Sequence, residues 1–185
     1  VKSFFSTCIY NFLSISFPLF AQSLEEQMTS ISRLLHKEGE VFVAVDRYYA
    51  NLERTCTVED LFNNRLTYRE GSVTIHFSNH TESPCERTFL RTEADYRFRL
   101  KDLDASRLRL VQKKYPLGNG KLTDGQDQWY EIHFFTQGDQ PLISRKETTG
   151  EEEKLNTVRL LFKSQEGARQ ALSVFRKVFQ ELNPK

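Results

Sequence analysis

The chain holds four histidines, His36, His76, His80 and His133, the side chains most often used for proton transfer and metal ligation near neutral pH. His76 and His80 stand four apart. That spacing shares one face of a helix, but here it falls on or just past an extended segment, where the two rings would lie about 13 Å apart. Zinc requires three or four converging ligands, and no such set is spaced along the chain. His133 alternates with Glu131 and Trp129, which places all three on one face of a strand. Gly118-Asn119-Gly120-Lys121 lacks both the spacer and the hydroxyl residue of a phosphate loop, and reads as a turn. Glu151, Glu152 and Glu153 are consecutive, so a turn disperses them instead of pairing them across a cleft. No Gly-x-Ser-x-Gly or His-Glu-x-x-His run occurs, and no nucleophile and base are spaced for catalysis. The expectation is a protein that is not an enzyme and carries neither metal nor cofactor. Asn79-His80-Thr81 is a formal glycosylation sequon.

The chemistry that rises above background is basic. Arg97, Arg99 and Lys101 alternate along one extended run, and Arg107 and Arg109 along the next. If these runs pair as a hairpin, five cations share one sheet surface. Like charges opposed across strands repel, so a neighbouring carboxylate such as Glu131, water, or an anionic partner must offset them. These five residues form the candidate ligand-binding set.

The elements that would hold them follow from periodicity. Leu24, Met28, Ile31 and Leu35 mark a short amphipathic helix ending near Gly39, with Glu25 and Glu26 in its first turn and Lys37 in its last. Val41–Val45 reads as a strand, Val58–Asn64 as a loop, and Arg65–Arg69 and Val73–Phe77 as a hairpin turning at Glu70-Gly71. Further strands are expected at Thr88–Leu90, Tyr96–Lys101, Arg107–Val111, Trp129–Thr136, Leu142–Lys146 and Leu155–Lys163. Pro116–Asp127, rich in Gly and Asp, reads as a loop. The stripe Ala168, Ala171, Leu172, Phe175, Val178, Phe179 and Leu182 is a C-terminal amphipathic helix, with Ser164 as N-cap and Asn183-Pro184 as stop.

Residues 4–21 carry no charge, follow Lys2, and run into Ala21-Gln22-Ser23. This is the pattern of a secretory leader over residues 1–22, leaving one domain over residues 23–185 and no stable membrane span. Removing the leader takes away Lys2 and no acid, so the 26 basic and 25 acidic residues of the whole chain become equal in number. That balance argues against nucleic acid as a partner. Fifteen Phe, seven Tyr and one Trp against eight Gly and five Pro exclude a disordered or low-complexity chain. Cys56 and Cys85 are then the two remaining thiols, free to form a disulfide in an oxidising compartment.

About seven antiparallel strands capped by a C-terminal helix is the element order of a pleckstrin-homology-like roll. The likeness rests on Val158–Ser164 leading directly into Ala168–Leu182, and on the alternating run Tyr96–Asp104. Together with the helix beginning Leu24-Glu25-Glu26 and the leader ending Leu19-Phe20-Ala21-Gln22, the chain resembles exported Bacteroidetes proteins with this fold. The resemblance implies an α+β roll in the periplasm or at the cell surface. It does not imply lipid recognition, since Phe175 or Phe179 stands where eukaryotic members carry Trp. The expected function is a non-catalytic binding module that meets a protein or an anionic envelope component through its basic face or an open strand edge. The alternative is a carrier holding a small hydrophobic ligand between the sheet and the C-terminal helix.

Overall fold

The computed structural model describes residues 23–148, 150 and 152–183. The expected leader, Glu151 and Pro184 lie outside the described residues. The fold is antiparallel α+β, with one helix at each end of the described chain.

Helix α1, Leu24–Glu38, starts on a capping box in which the Ser23 hydroxyl accepts from the Glu26 N–H and the Glu26 carboxylate accepts from the Ser23 N–H. Strands β1 (Glu40–Tyr49), β2 (Arg54–Arg69), β3 (Ser72–Ser83) and β4 (Thr88–Arg99) then form a long meander. The Glu70-Gly71 turn between β2 and β3 falls where it was expected, with both residues at positive φ. Strands β5 (Arg109–Lys114), β6 (Lys121–Gly125), β7 (Gln128–Phe135), β8 (Ile143–Glu147), β9 (Glu152–Leu155) and β10 (Thr157–Phe162) precede helix α2, Gln165–Leu182. The large sheet runs β6-β1-β2-β3-β4-β8-β9, and the small one β10-β7-β5.

Two expectations of local structure are corrected. Val58–Asn64 is part of β2, not a loop: its inward positions are Val58, Asp60, Phe62 and Asn64, and the two buried polar members find partners elsewhere in the fold. Lys121–Gly125, within the stretch read as a loop, adds β6 to the edge of β1.

The main core lies between the large sheet, the small sheet and both helices. Met28, Ile31 and Leu35 of α1 and Ala168, Phe175, Val178 and Phe179 of α2 close over Leu66, Ile75, Phe98, Ile132 and Phe134. The helices run antiparallel and are tied at both ends: Gln27 donates to Glu181 at 2.6 Å, and the Ser164 cap of α2 donates to Glu38 at 2.7 Å. A second core gathers Val41, Val43 and Val45 of β1 with Tyr115 and Leu161, flanked by Phe62 and Trp129, whose rings stack at 5.6 Å.

Asn64 joins the two sheets. Its side-chain amide donates to the Leu161 carbonyl at 3.0 Å and accepts from the Leu161 N–H at 2.7 Å, as a backbone neighbour would, and it also donates to the Gly39 carbonyl at 2.8 Å. Gly39 is required by this approach, because a Cβ there would stand 2.6 Å from Asn64 Nδ2. Cys56 and Cys85 form a disulfide that ties the start of β2 to the β3–β4 turn.

Asn64→Ala should lower stability by about 2–4 kcal/mol, since it strands both backbone groups of buried Leu161; urea unfolding measures it. Replacing both bridged cysteines by Ala should cost about 3–4 kcal/mol by the loop-entropy relation, and a loss below about 1 kcal/mol in the same assay would show that the unfolded chain is little constrained by the bridge.

Candidate functional site

The five predicted cations do not share one sheet. Strand β4 is paired on both sides, by β3 and β8, while β5 pairs with β7 in the small sheet. Between them, 3-10 turns at Leu100–Asp102 and Ala105–Arg107 carry the chain from one sheet to the other, anchored by Leu100 and Leu103, each 2% exposed. The expected hairpin therefore does not form.

Arg97 lies on the outer face of the large sheet, where its guanidinium faces Asp95 at 3.5 Å. Arg99 and Lys101 line a shallow hollow with Leu24, Tyr68, Glu70 and Leu182. Arg109 opens β5 of the small sheet, Arg107 ends the 3-10 turn before it, and both cover the Phe135 ring, at 4.5 Å and 5.5 Å from its centroid for Arg107 and Arg109 respectively. Arg107 also pairs with Asp139 at 2.6 Å. Nearby carboxylates thus neutralise Arg97 and Arg107 individually.

The small sheet brings together a different set. Alternation along β7 puts Trp129, Glu131, His133 and Phe135 on one face. Register places Arg159 of β10 and Arg109 of β5 directly opposite His133, so Arg159, His133 and Arg109 form one cross-strand row. The next row sets Glu131 between Leu161 and Val111.

Glu131 holds this face together. Its side chain is 2% exposed and accepts from the Trp129 indole at 3.0 Å and from His133 Nε2 at 2.7 Å, with Arg159 Nη1 at 3.4 Å. Burial alone would raise its carboxyl pKa. The Trp129 and His133 donors and the Arg159 charge more than offset burial and hold the group below the usual carboxylate range. Because an ionised carboxylate only accepts, His133 Nε2 carries a proton and donates a hydrogen bond to Glu131. Among the described residues, no Ser, Thr or Cys side chain bonds to His133.

Beside the His133 row lies a cleft of about 260 Å³ lined by Phe77, Tyr96, His133, Leu155, Thr157 and Arg159, with residues from both sheets. The space between the small sheet and α2, the place expected for a carried apolar ligand, is filled by Phe134, Phe162, Leu172 and Phe175, with the Phe134 and Phe175 rings edge to face at 4.8 Å.

A second polar cluster lies deeper on the inner face of the large sheet. Buried Asp60 accepts from Thr81 and from the Tyr115 hydroxyl, and Arg47 reaches the same hydroxyl at 3.4 Å. Burial, then the Asp60 bond and charge, push the Tyr115 phenol up to about 12, so it remains a donor at neutral pH. This arrangement satisfies Asp60 inside the second core.

His76 bonds to Asp95 at 2.9 Å, and His80 meets the Phe89 ring edge. Among the described residues, no three His, Cys, Asp or Glu side chains converge for a metal, and no helix is long and apolar enough to cross a membrane. Comparison with family models, curated proteins and solved structures gives no match for the chain.

Sequence alternation exposed Trp129, Glu131 and His133 as neighbours. Arg159 gave no such signal, since only the β7–β10 register places it beside them. Glu131→Gln should cost about 1–3 kcal/mol at pH 7, where the charged acceptor is lost. The folded-state pKa of Glu131 is depressed, so its contribution is complete above the carboxyl pKa of the unfolded chain and disappears as pH falls through the folded value. The gap between thermal melts of the parent and the variant should therefore narrow as pH falls below the ordinary Glu pKa of about 4.3; a gap that persists unchanged into acid would contradict this account.

Proposed function

We propose that the chain is a non-catalytic binding module and that the basic face of its small sheet receives an anionic partner, an acidic protein surface or an anionic polymer of the cell envelope. The row Arg159, His133 and Arg109 carries this reading. Three basic residues opposed across three strands are destabilising unless opposite charge lies near them. Glu131 supplies one negative charge from the adjacent row of the same face, and the Phe135 ring meets only the Arg109 end. One formal positive charge is left over on an accessible face, with Arg159 58% exposed and Arg109 exposed. Such a surface attracts an anion and favours its capture at low salt.

A catalytic role has less support. The His133–Glu131 pair supplies a base and its orienting carboxylate, but a nucleophilic reaction needs a third group hydrogen-bonded to the ring. Export to the periplasm or cell surface is part of the same proposal, and the Cys56–Cys85 bridge is in keeping with an oxidising compartment. So is kinship with the pleckstrin-homology-like group, for which the direct passage from β10 into α2 is the support.

Retention on immobilised heparin, as a polyanion probe, tests the surface. Arg109→Glu combined with Arg159→Gln should reduce apparent affinity at least tenfold and flatten its salt dependence, with the melting temperature nearly unchanged. Equal retention of parent and variant would remove this face from consideration.

A further inference from the structure

The cleft beside the basic row has two chemically different sides. Arg159, His133, Thr157 and Val158 stand on the small sheet, and Phe77, Tyr96 and Leu155 on the large one. We infer that this cleft binds a small monocarboxylate with a flat apolar body, such as an aryl-substituted short-chain acid. The carboxylate lies against Arg159 and the ring against Phe77 and Tyr96. This inference rests on the anion-binding reading of the basic face and assigns that face a ligand class.

Arg159 can anchor the carboxylate because its present engagement is slight. Among the described residues its guanidinium meets only Glu131, through Nη1 at 3.4 Å, and the side chain is 58% exposed. A guanidinium carries five donors in a planar fork that matches a carboxylate in two-point contact, so donors remain for a ligand. Glu131 does not compete for that role by moving away, since Trp129 and His133 hold it in place. It does limit the charge the site can accept. The fixed charges of Arg159 and Arg109 against Glu131 leave one formal positive charge on these rows, which balances a carboxylate and underbalances a dianionic phosphate.

The apolar side fixes the rest of the ligand. The register sets Ile75 opposite Tyr96 and Phe77 opposite Ala94, so Phe77 and Tyr96 are diagonal neighbours on the same inner face. Paired aromatic surfaces of this kind favour a stacked or edge-on ring. The volume of about 260 Å³ lies just under the usual range for small-molecule sites, which suits a single ring on a short arm and excludes a long acyl chain.

The test is titration of the oxidised, isotope-labelled protein with 3-phenylpropionate, its neutral amide 3-phenylpropionamide, and propionate, followed by backbone amide shifts. 3-Phenylpropionate should give saturable shifts at Phe77, His133, Thr157 and Arg159, and both other probes should bind at least tenfold more weakly. Arg159→Met should abolish the preference for acid over amide. Absence of saturable shifts at these residues, or equal affinity for acid and amide, overturns the inference. Heparin retention of the same sample separates the two proposals: retention without phenylpropionate binding overturns the ligand class alone, and failure of both assays overturns the basic-face reading with it.

Discussion

The side chain of Asn64 does the work of a strand. No strand of the large sheet pairs with one of the small sheet among the described residues, and the outer edge of β10 would otherwise be buried with unpaired backbone groups. The Asn64 amide offers one donor and one acceptor at the spacing of a peptide unit and satisfies both groups of Leu161, 97 residues further along the chain. Its own backbone N–H bonds to the Gly39 carbonyl, so the same residue also fixes where α1 ends and β1 begins. The orientation of the small sheet, and hence the direction its charged face looks, follows from this junction. Helix α2 continues the arrangement, because the Lys163 N–H bonds to the Glu38 carbonyl just before the Ser164 cap.

The same logic governs the polar groups nearer the surface. Glu131 receives its donors from two residues before, two residues after and one strand across, which are the nearest positions on a single pleated face. The sheet therefore preorganises these side chains without help from a loop. Asp60 is satisfied differently, by Thr81 across the β2–β3 ladder and by Tyr115 from the segment after β5. Asp60 is enclosed in the second core, and Glu131 lies in the row beside a set of solvent-exposed cations.

Both helices, the hairpin at Glu70-Gly71 and the aromatic strand around Trp129 were legible in the sequence because each depends on local periodicity. Strand β2 was not. Its inward polar residues, Asp60 and Asn64, interrupt the expected alternation, and the partners that make them acceptable lie 55 and 97 residues away. The hairpin expected from Arg97 to Arg109 failed for a related reason: alternation identifies strands but not their neighbours, and Leu100 and Leu103 draw the chain across to the second sheet. The cysteine count pointed to the bridge that forms. Of the predicted basic set only Arg109 lies in the small sheet, with Arg107 packed on its Phe135, and Arg159 could not be placed beside His133 without the register.

The remaining sheet edges bear on how copies of the protein coexist. Over residues 23–185 the formal charges cancel, so long-range repulsion does little to keep molecules apart. Asn64 covers the edge of β10 at Leu161 and exposed Arg159 lies further along it, while the other edges carry exposed charges: Arg109 and Lys114 on β5, Lys121 and Asp124 on β6, and Glu152, Glu153 and Lys154 on β9. A second copy adding its strand to any of these would have to dehydrate them. Colloidal stability at high concentration is thus built into short stretches of ionic edge, not into the net charge of the molecule.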